Sequence, residues 1–163
     1  MESNLPVKSS SSDSPRLWGM RVTMMLADAA HVADGKLYIL GGGWSVTGPD
    51  PTPSAVVIKL EIDRHETGKS HYWELFLEDA DGQPVVLDTP EGPQTVEVRG
   101  EFEAGEPEGI PEGAPVDLPI AINFGPLPLM PGARYTWRLV IDGDTPSGGA
   151  LGFSTRSATP DSL

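Results

Sequence analysis

Residues that form turns recur along the whole chain, and the stretches between them leave little room for helices. The 163 residues include 19 glycines and 17 prolines, the two residues that are least compatible with a helix interior. No stretch of ten or more residues shows a convincing 3.6-residue apolar period. Residues 54–63 instead alternate with a period of two, since Val56 and Ile58 face one side. Lys59 and Glu61 face the other side, so the pattern predicts an all-β protein.

Short apolar runs separated by turn residues predict eight or nine strands at a spacing of roughly 8–12 residues, one of them over residues 94–103. Asp34-Gly35 lies between the runs Met20–Ala29 and Lys36–Leu40. It predicts a hairpin with a type I′ turn, because both central residues of that turn need a positive φ. A parallel sheet would need crossover helices, which the sequence lacks. We therefore predict an antiparallel β-sandwich.

The segment around Tyr135 refines this prediction. Pro131 and Gly132 form a tight turn just before the predicted strand Arg134–Asp142, and Tyr135 lies at the start of that strand. This arrangement resembles the tyrosine corner of immunoglobulin-like and fibronectin-like sandwiches, where the hydroxyl bonds to the backbone a few residues upstream. Tyr135, Pro131 and Gly132 are therefore assigned a structural role, and the Tyr135 hydroxyl is expected to donate to the backbone within the corner. The chain lacks the paired cysteines of antibody domains, which argues against that subgroup but not against the wider architecture.

The chain is predicted to contain one folded domain, over residues 20–156. Residues 1–19 include a serine-rich run and almost nothing apolar to bury, so they are predicted to be a disordered tail, and so are residues 157–163. Met20 is a candidate for the true start of the protein. No signal peptide or membrane span is visible. The absence of cysteine excludes disulfides and cysteine-ligated zinc and favours the cytoplasm.

The acidic residues are concentrated in the middle of the chain. The formal net charge is −13, and residues 70–133 hold thirteen acidic residues against one basic residue, Arg99. A surface of this sign cannot neutralise phosphates, so nucleic acid is not expected as a partner. Two interpretations stay open: a solvated face that keeps the protein soluble, or a docking face for a basic partner.

Four strings in the sequence resemble a known family. They are residues 20–30, 35–44, 125–129 and 135–139. They are similar to a family of short, acidic, mainly actinobacterial proteins known only as a domain of unknown function. The resemblance covers roughly residues 20–156 and implies a bacterial cytoplasmic protein. The resemblance implies no activity, cofactor or catalytic residue for this chain.

Three consecutive glycines precede a tryptophan and form the first candidate site. Gly41, Gly42 and Gly43 suggest a phosphate loop, but a strand pattern follows them instead of a helix with Gly-Lys-Ser/Thr. A bulge or tight link between strands is the better interpretation. Trp44 follows directly and is the best candidate for an exposed aromatic anchor.

Two histidines form the second candidate site. His65 and His71 flank a short loop, and Asp63 precedes them. Two imidazoles and a carboxylate are suitable metal ligands, but the remaining histidine, His31, is distant. We therefore expect no metal and no cofactor. No Gly-x-Ser-x-Gly elbow occurs, and no catalytic residue is assigned.

These observations favour a non-enzymatic binding module. We expect a protein partner or self-association through an edge strand and the Gly41–Trp44 segment. The first alternative is a small-ligand or carbohydrate binder at a loop end of the sandwich. The second is a small metal-dependent enzyme that uses His65 and His71.

Overall fold

The structure is a computed structural model that describes residues 19–106 and 108–158. The predicted tails, residues 1–19 and 157–163, lie almost wholly outside these residues. Within the described ranges, no helix is long and apolar enough to cross a membrane. The strands are β1 Met20–Ala33, β2 Lys36–Gly42, β3 Val46–Thr47, β4 Ser54–Ile62, β5 Ser70–Asp79, β6 Val86–Thr89, β7 Gly92–Thr95, β8 Glu97–Glu103, β9 Val116–Phe124, β10 Arg134–Ile141 and β11 Ala150–Thr155.

The strands form two large sheets and one separate hairpin. The four-stranded sheet has the order β2-β1-β4-β9, and all its neighbours are antiparallel. The five-stranded sheet has the order β3-β11-β10-β5-β8 and is antiparallel except for the pair of β3 with β11. Strands β6 and β7 pair only with each other. The all-β prediction is confirmed.

The number of strands is higher than the eight or nine predicted, because the single run predicted over residues 94–103 is divided at Val96. The N–H of Val96 donates to the carbonyl of Val85 (3.0 Å), and its own carbonyl accepts from the N–H of Leu77 (3.1 Å). At this residue the chain therefore passes from the β6–β7 hairpin to the edge of the large sheet. A change of strand partner of this kind does not alter the alternation of apolar and polar residues, so the sequence pattern does not show it.

The two large sheets share one core. On β4 the predicted alternation is confirmed, since Val56, Ile58, Leu60 and Ile62 are all completely buried. Residues of β5 and β10 complete the core from the other sheet, and across the interface the rings of Phe124 and Trp137 stack with centroids 4.8 Å apart. Each fully buried aliphatic side chain contributes about 1.5–3 kcal/mol, so these strands supply most of the stability.

The β1–β2 hairpin extends beyond the core. Its turn is as predicted, with φ 52° at Asp34 and 69° at Gly35. The half of β1 that lies next to the turn does not pair with β4. The side chain of Asn123 on β9 forms hydrogen bonds with the backbone of that half instead. Its amide oxygen accepts from the N–H of Ala30 (3.1 Å), and its amide nitrogen donates to the Ala30 carbonyl (2.7 Å). The hairpin thus curls over the outer face of the sheet, and Leu37 packs there in a small second cluster.

Candidate functional site

The two large sheets end in four edge strands, and three of them are protected against further strand pairing. Strand β3 has only two residues. Strand β9 contains Pro119, which has no N–H to donate. Strand β8 carries four charged residues on its exposed positions: Glu97, Arg99, Glu101 and Glu103. Short strands, prolines and charges are the usual means by which proteins block an edge.

Strand β2 has little of this protection. Its residues Tyr38, Ile39 and Leu40 expose 47%, 40% and 70% of their surface, and Val32 on the paired strand β1 exposes 42%. The only charged residue of the strand is Lys36, at its first position. Tyr38 and Leu40 lie on one face of the hairpin and Ile39 and Val32 on the other, so the edge is apolar and exposed on both faces, which marks an interaction surface. We refer to residues 36–40 as the β2 edge.

The backbone of the β2 edge is arranged to accept another strand. A two-residue type I′ turn closes on a hydrogen-bonded pair, here Ala33 with Lys36, and such pairs alternate along an antiparallel ladder. The N–H and C=O groups of Leu37 and Ile39 therefore point away from β1. Within the part of the chain that the structure describes, these groups have no backbone hydrogen-bond partner outside the hairpin. They are free for an incoming strand.

The three-glycine segment ends the β2 edge. Gly41 and Gly43 have φ of 60° and 90°, values that break the extended conformation and that only glycine adopts without strain. A Cβ at Gly41 would overlap the carboxylate of Asp28. The N–H of Gly43 donates to the carbonyl of Leu26 (2.7 Å), so the segment is a distorted link that leads on towards β3.

Trp44 is half-buried, which differs from the expectation of an exposed anchor. Its ring meets Phe153 edge-on with centroids 6.5 Å apart, and it packs against the main core. The indole Nε1 is buried and has no hydrogen-bond partner within the described residues. The physical reason is the turn at Gly43, because the chain bends inwards there instead of continuing along the edge.

Trp44 also lines a small cavity at a loop end of the two sheets. Other lining residues are Leu26, Leu127, Trp137 and Phe153, and the space inside is about 30 Å³. This is close to the volume that one water molecule occupies in the liquid. The cavity in this conformation is too small for a sugar or a drug-sized molecule.

His71 and His65 both lie next to Glu66. Nδ1 of the buried His71 is 2.6 Å from Oδ2 of Asp142, and Nε2 is 3.5 Å from Oε2 of Glu66. Nε2 of His65 is 3.6 Å from Oε1 of the same carboxylate. Among the residues that the structure describes, no group of three or more histidine, cysteine, aspartate and glutamate side chains is arranged to hold a metal. The contacts of His71 instead tie the end of β10 to β5.

Asp142 is the part of this cluster that sequence spacing could not reveal, because it lies 71 residues from His71. It follows β10 with a φ of 49°, and its Oδ1 accepts from the N–H of Tyr72 (2.9 Å). Burial by itself would raise the pKa of Asp142. The hydrogen bonds from His71 and from the Tyr72 N–H outweigh this effect, so the pKa is lowered from its usual value.

Tyr135 forms the predicted corner contact, with one correction. Its hydroxyl was expected to donate to the backbone, but it accepts from the N–H of Met130 (2.9 Å), five residues upstream. The intervening Pro131-Gly132 turn brings the two groups together, with φ 69° at Gly132. Thr155 completes the corner by donating to the Met130 carbonyl (2.6 Å). These residues hold the loop before β10 and have no part in the β2 edge.

The exposed residues of the β2 edge were not singled out from the sequence. A signal was present, because Leu37, Tyr38, Ile39 and Leu40 form an unbroken apolar run. Such a run indicates a strand that is covered on both faces. In this chain both faces of β2 stay at least partly exposed, since Ile39 exposes 40% of its surface on one face and Leu40 exposes 70% on the other.

The family model described as a family of unknown function, DUF6941, matches residues 22–151. No curated protein is similar enough to count as a match. One solved structure is similar: the X-ray structure of Northeast Structural Genomics Consortium target SoR45 shares 16% sequence identity, with 89% of this chain and 90% of that chain covered, at a TM-score of 0.29. The family match spans most of the chain, so the chain belongs to the DUF6941 family.

Proposed function

We propose that this member of the DUF6941 family is a non-enzymatic interaction module that pairs a strand of another polypeptide with the β2 edge. The observation that carries the proposal is the contrast among the four sheet edges, of which β2 alone, within the described residues, presents a run of exposed large apolar side chains with a charge only at its first position. Addition of a strand to an exposed edge is a common mode of peptide recognition, in which backbone hydrogen bonds supply affinity. The Gly41–Trp44 segment bounds the surface.

The immunoglobulin-like or fibronectin-like architecture is part of this proposal. The order β11-β10-β5-β8 corresponds to the G, F, C and C′ strands of an immunoglobulin-type sheet, and β1, β4 and β9 correspond to A, B and E. The contact of Tyr135 with the Met130 backbone supports the same assignment. Domains of this architecture serve widely as interaction modules, which is support by analogy.

We place the protein in the cytoplasm, and the absence of cysteine supports this. The acidic residues of β8 serve here as a solvated, blocked edge. The two alternatives have less support. The cavity beside Trp44, at a loop end of the sheets, is too small for a drug-sized ligand. A metal-dependent enzyme would need free ring nitrogens, whereas both nitrogens of His71 already face oxygen atoms.

The proposal is tested by placing a charge on the edge. Leu40→Lys puts an ammonium group at the most exposed apolar position of the β2 edge, and Val86→Lys, on the separate β6–β7 hairpin, is the matched control at a residue with 54% exposure. We expect Leu40→Lys to lower binding of any partner, or self-association, by at least about tenfold, since a desolvated charge costs several kcal/mol. Surface substitutions usually change stability by less than about 0.5 kcal/mol, so both variants should unfold as wild type does.

Binding is measured as the amount of partner protein that the tagged chain captures. Self-association is measured by sedimentation of the purified protein. Equal capture and equal sedimentation for wild type and Leu40→Lys would contradict the proposal. If Val86→Lys lost binding and Leu40→Lys kept it, the interaction surface would lie outside the β2 edge.

A further inference from the structure

We propose that the strand that pairs with the β2 edge is the β2 edge of a second copy of this chain, in an antiparallel dimer with its two-fold axis at Tyr38. This inference rests on the proposed function and names the partner. It joins two four-stranded sheets into one continuous sheet of eight strands. Closed two-fold dimers are the commonest oligomers, and each patch in them must be complementary to itself.

The extended length of the edge determines the register. Residues 36–40 are regular, and the positive φ of Gly41 ends that segment. Two copies can pair all five regular residues only if the axis passes through the central one, Tyr38. Leu37 then lies opposite Ile39 of the second copy, and Lys36 lies opposite Leu40.

The hydrogen-bonding phase agrees with this register. Leu37 and Ile39 are the residues whose N–H and C=O groups point away from β1. With the axis at Tyr38 they face each other as hydrogen-bonded pairs, and the two Tyr38 residues form the non-hydrogen-bonded pair between them. An axis one residue further along would need the Gly41 backbone, which is not extended.

The side chains across the axis are compatible. Tyr38 stacks on His31 of β1, with ring centroids 5.0 Å apart and planes within 9°. Across the axis the two Tyr38 rings lie next to each other, and aromatic pairs of this kind stabilise antiparallel sheets. Leu37 and Ile39 form aliphatic pairs. Lys36 faces Leu40 of the second copy, so no like charges lie opposite each other.

The charge distribution is compatible with a second copy at this edge. The chain has a net charge of −13, so two copies repel unless their acidic surfaces are kept apart. Strand β1, next to β2, contacts β11, whereas β8 lies three strands beyond β11 in its own sheet. A dimer through β2 therefore places the glutamates of both β8 strands on its far sides.

A single cysteine tests the register, because the natural chain has none. In Tyr38→Cys the two cysteines would occupy the non-hydrogen-bonded pair on the axis, where Cα atoms are about 4.5 Å apart, within the range for a disulfide. In the control Leu40→Cys the two cysteines would be four residues out of register, about 13 Å apart along the strands. Leu40 is the more exposed position, at 70% against 47% for Tyr38, so random collisions favour the control.

We expect Tyr38→Cys to form a cross-linked dimer at least about tenfold faster than Leu40→Cys under mild oxidation, since only the former satisfies disulfide geometry. Sedimentation of the wild-type chain across a wide concentration range provides the second measurement. It should show a reversible monomer–dimer equilibrium that Leu40→Lys abolishes.

Equal or faster cross-linking of Leu40→Cys would overturn the register. A wild-type chain that sediments as a monomer at every concentration would overturn the second copy as partner. In that case loss of capture of another protein by Leu40→Lys would still support the proposed function, so the two failures can be told apart.

Discussion

Strands β2 and β8 are both edge strands, yet their side chains are opposite in character. Apart from Lys36 and the two glycines at its end, the exposed positions of β2 carry tyrosine, isoleucine and leucine, and those of β8 carry three glutamates and an arginine. The backbone of each strand has the same unused donors and acceptors on its outer side. The comparison shows that side chains decide whether an edge is available for binding, because any incoming strand would have to desolvate the charges of β8.

The two edges are also attached to the molecule in different ways. Strand β8 contributes to the main core through Val98 and Phe102, and its Gly100 lies directly against the ring of Trp73. The outer part of the β1–β2 hairpin is held by the small cluster around Leu37 and by the bonds of Asn123. The blocked edge is thus part of the core, and the open edge lies on an extension from it.

The largest effect is expected when the charges of β8 are removed. Replacing Glu97, Glu101 and Glu103 together by valine should convert a blocked edge into a second apolar one. We expect association to increase by orders of magnitude, to the point of aggregation, since exposed apolar edges pair readily. Light scattering against concentration measures this. Glutamine at the same three positions is the control, and equal aggregation of both triple variants would show that charge alone blocks the edge.

The next largest effect tests how β8 is attached. A Cβ at Gly100 would lie 2.7 Å from three atoms of the Trp73 ring, so Gly100→Ala forces the ring to move. Such overpacking costs about 1–3 kcal/mol, which denaturant unfolding measures. Gly105→Ala is the control, because nothing lies within 4 Å of its Cβ position. If both variants unfold at the wild-type midpoint, β8 is not seated on the core as described.

A smaller effect is expected at the corner before β10. Tyr135→Phe removes the acceptor of the Met130 N–H and should cost about 1 kcal/mol, the usual net value of one hydrogen bond. The denaturant midpoint should fall accordingly. The β2 edge is unaffected, so dimerisation measured in the folded range should stay the same. An unchanged midpoint would remove the main support for the immunoglobulin-like assignment.

The smallest effect concerns how stability depends on pH. The lowered pKa of Asp142 means that its ionised form is favoured in the folded protein. Its stabilisation is therefore present above the ordinary pKa and is lost as the pH falls through the lowered one. Asp142→Asn keeps the shape and tolerates the positive φ. We expect the unfolding free energy of this variant to depend less steeply on pH below about pH 4; identical pH profiles would contradict the role of the contact with His71.

The sequence alone determined those strands and turns that depend only on a few neighbouring residues. The alternation of β4 places Val56 and Ile58 in the core, and Asp34-Gly35 adopts the positive φ values that a type I′ turn requires. The Pro131-Gly132 turn and Tyr135 likewise identify the corner. In each case the physical cause lies in a few neighbouring residues, because strand period and turn conformation are local properties of the backbone.

Only the tertiary structure decided which surface is open. The β2 edge is open because no strand among the described residues follows it in the sheet order, and Trp44 is half-buried because the chain turns inwards at Gly43. The bond between His71 and Asp142 joins residues 71 positions apart. Strand order and contacts between distant residues are set by how whole sheets pack, and periodicity within one strand carries no information about the strand that will lie beside it.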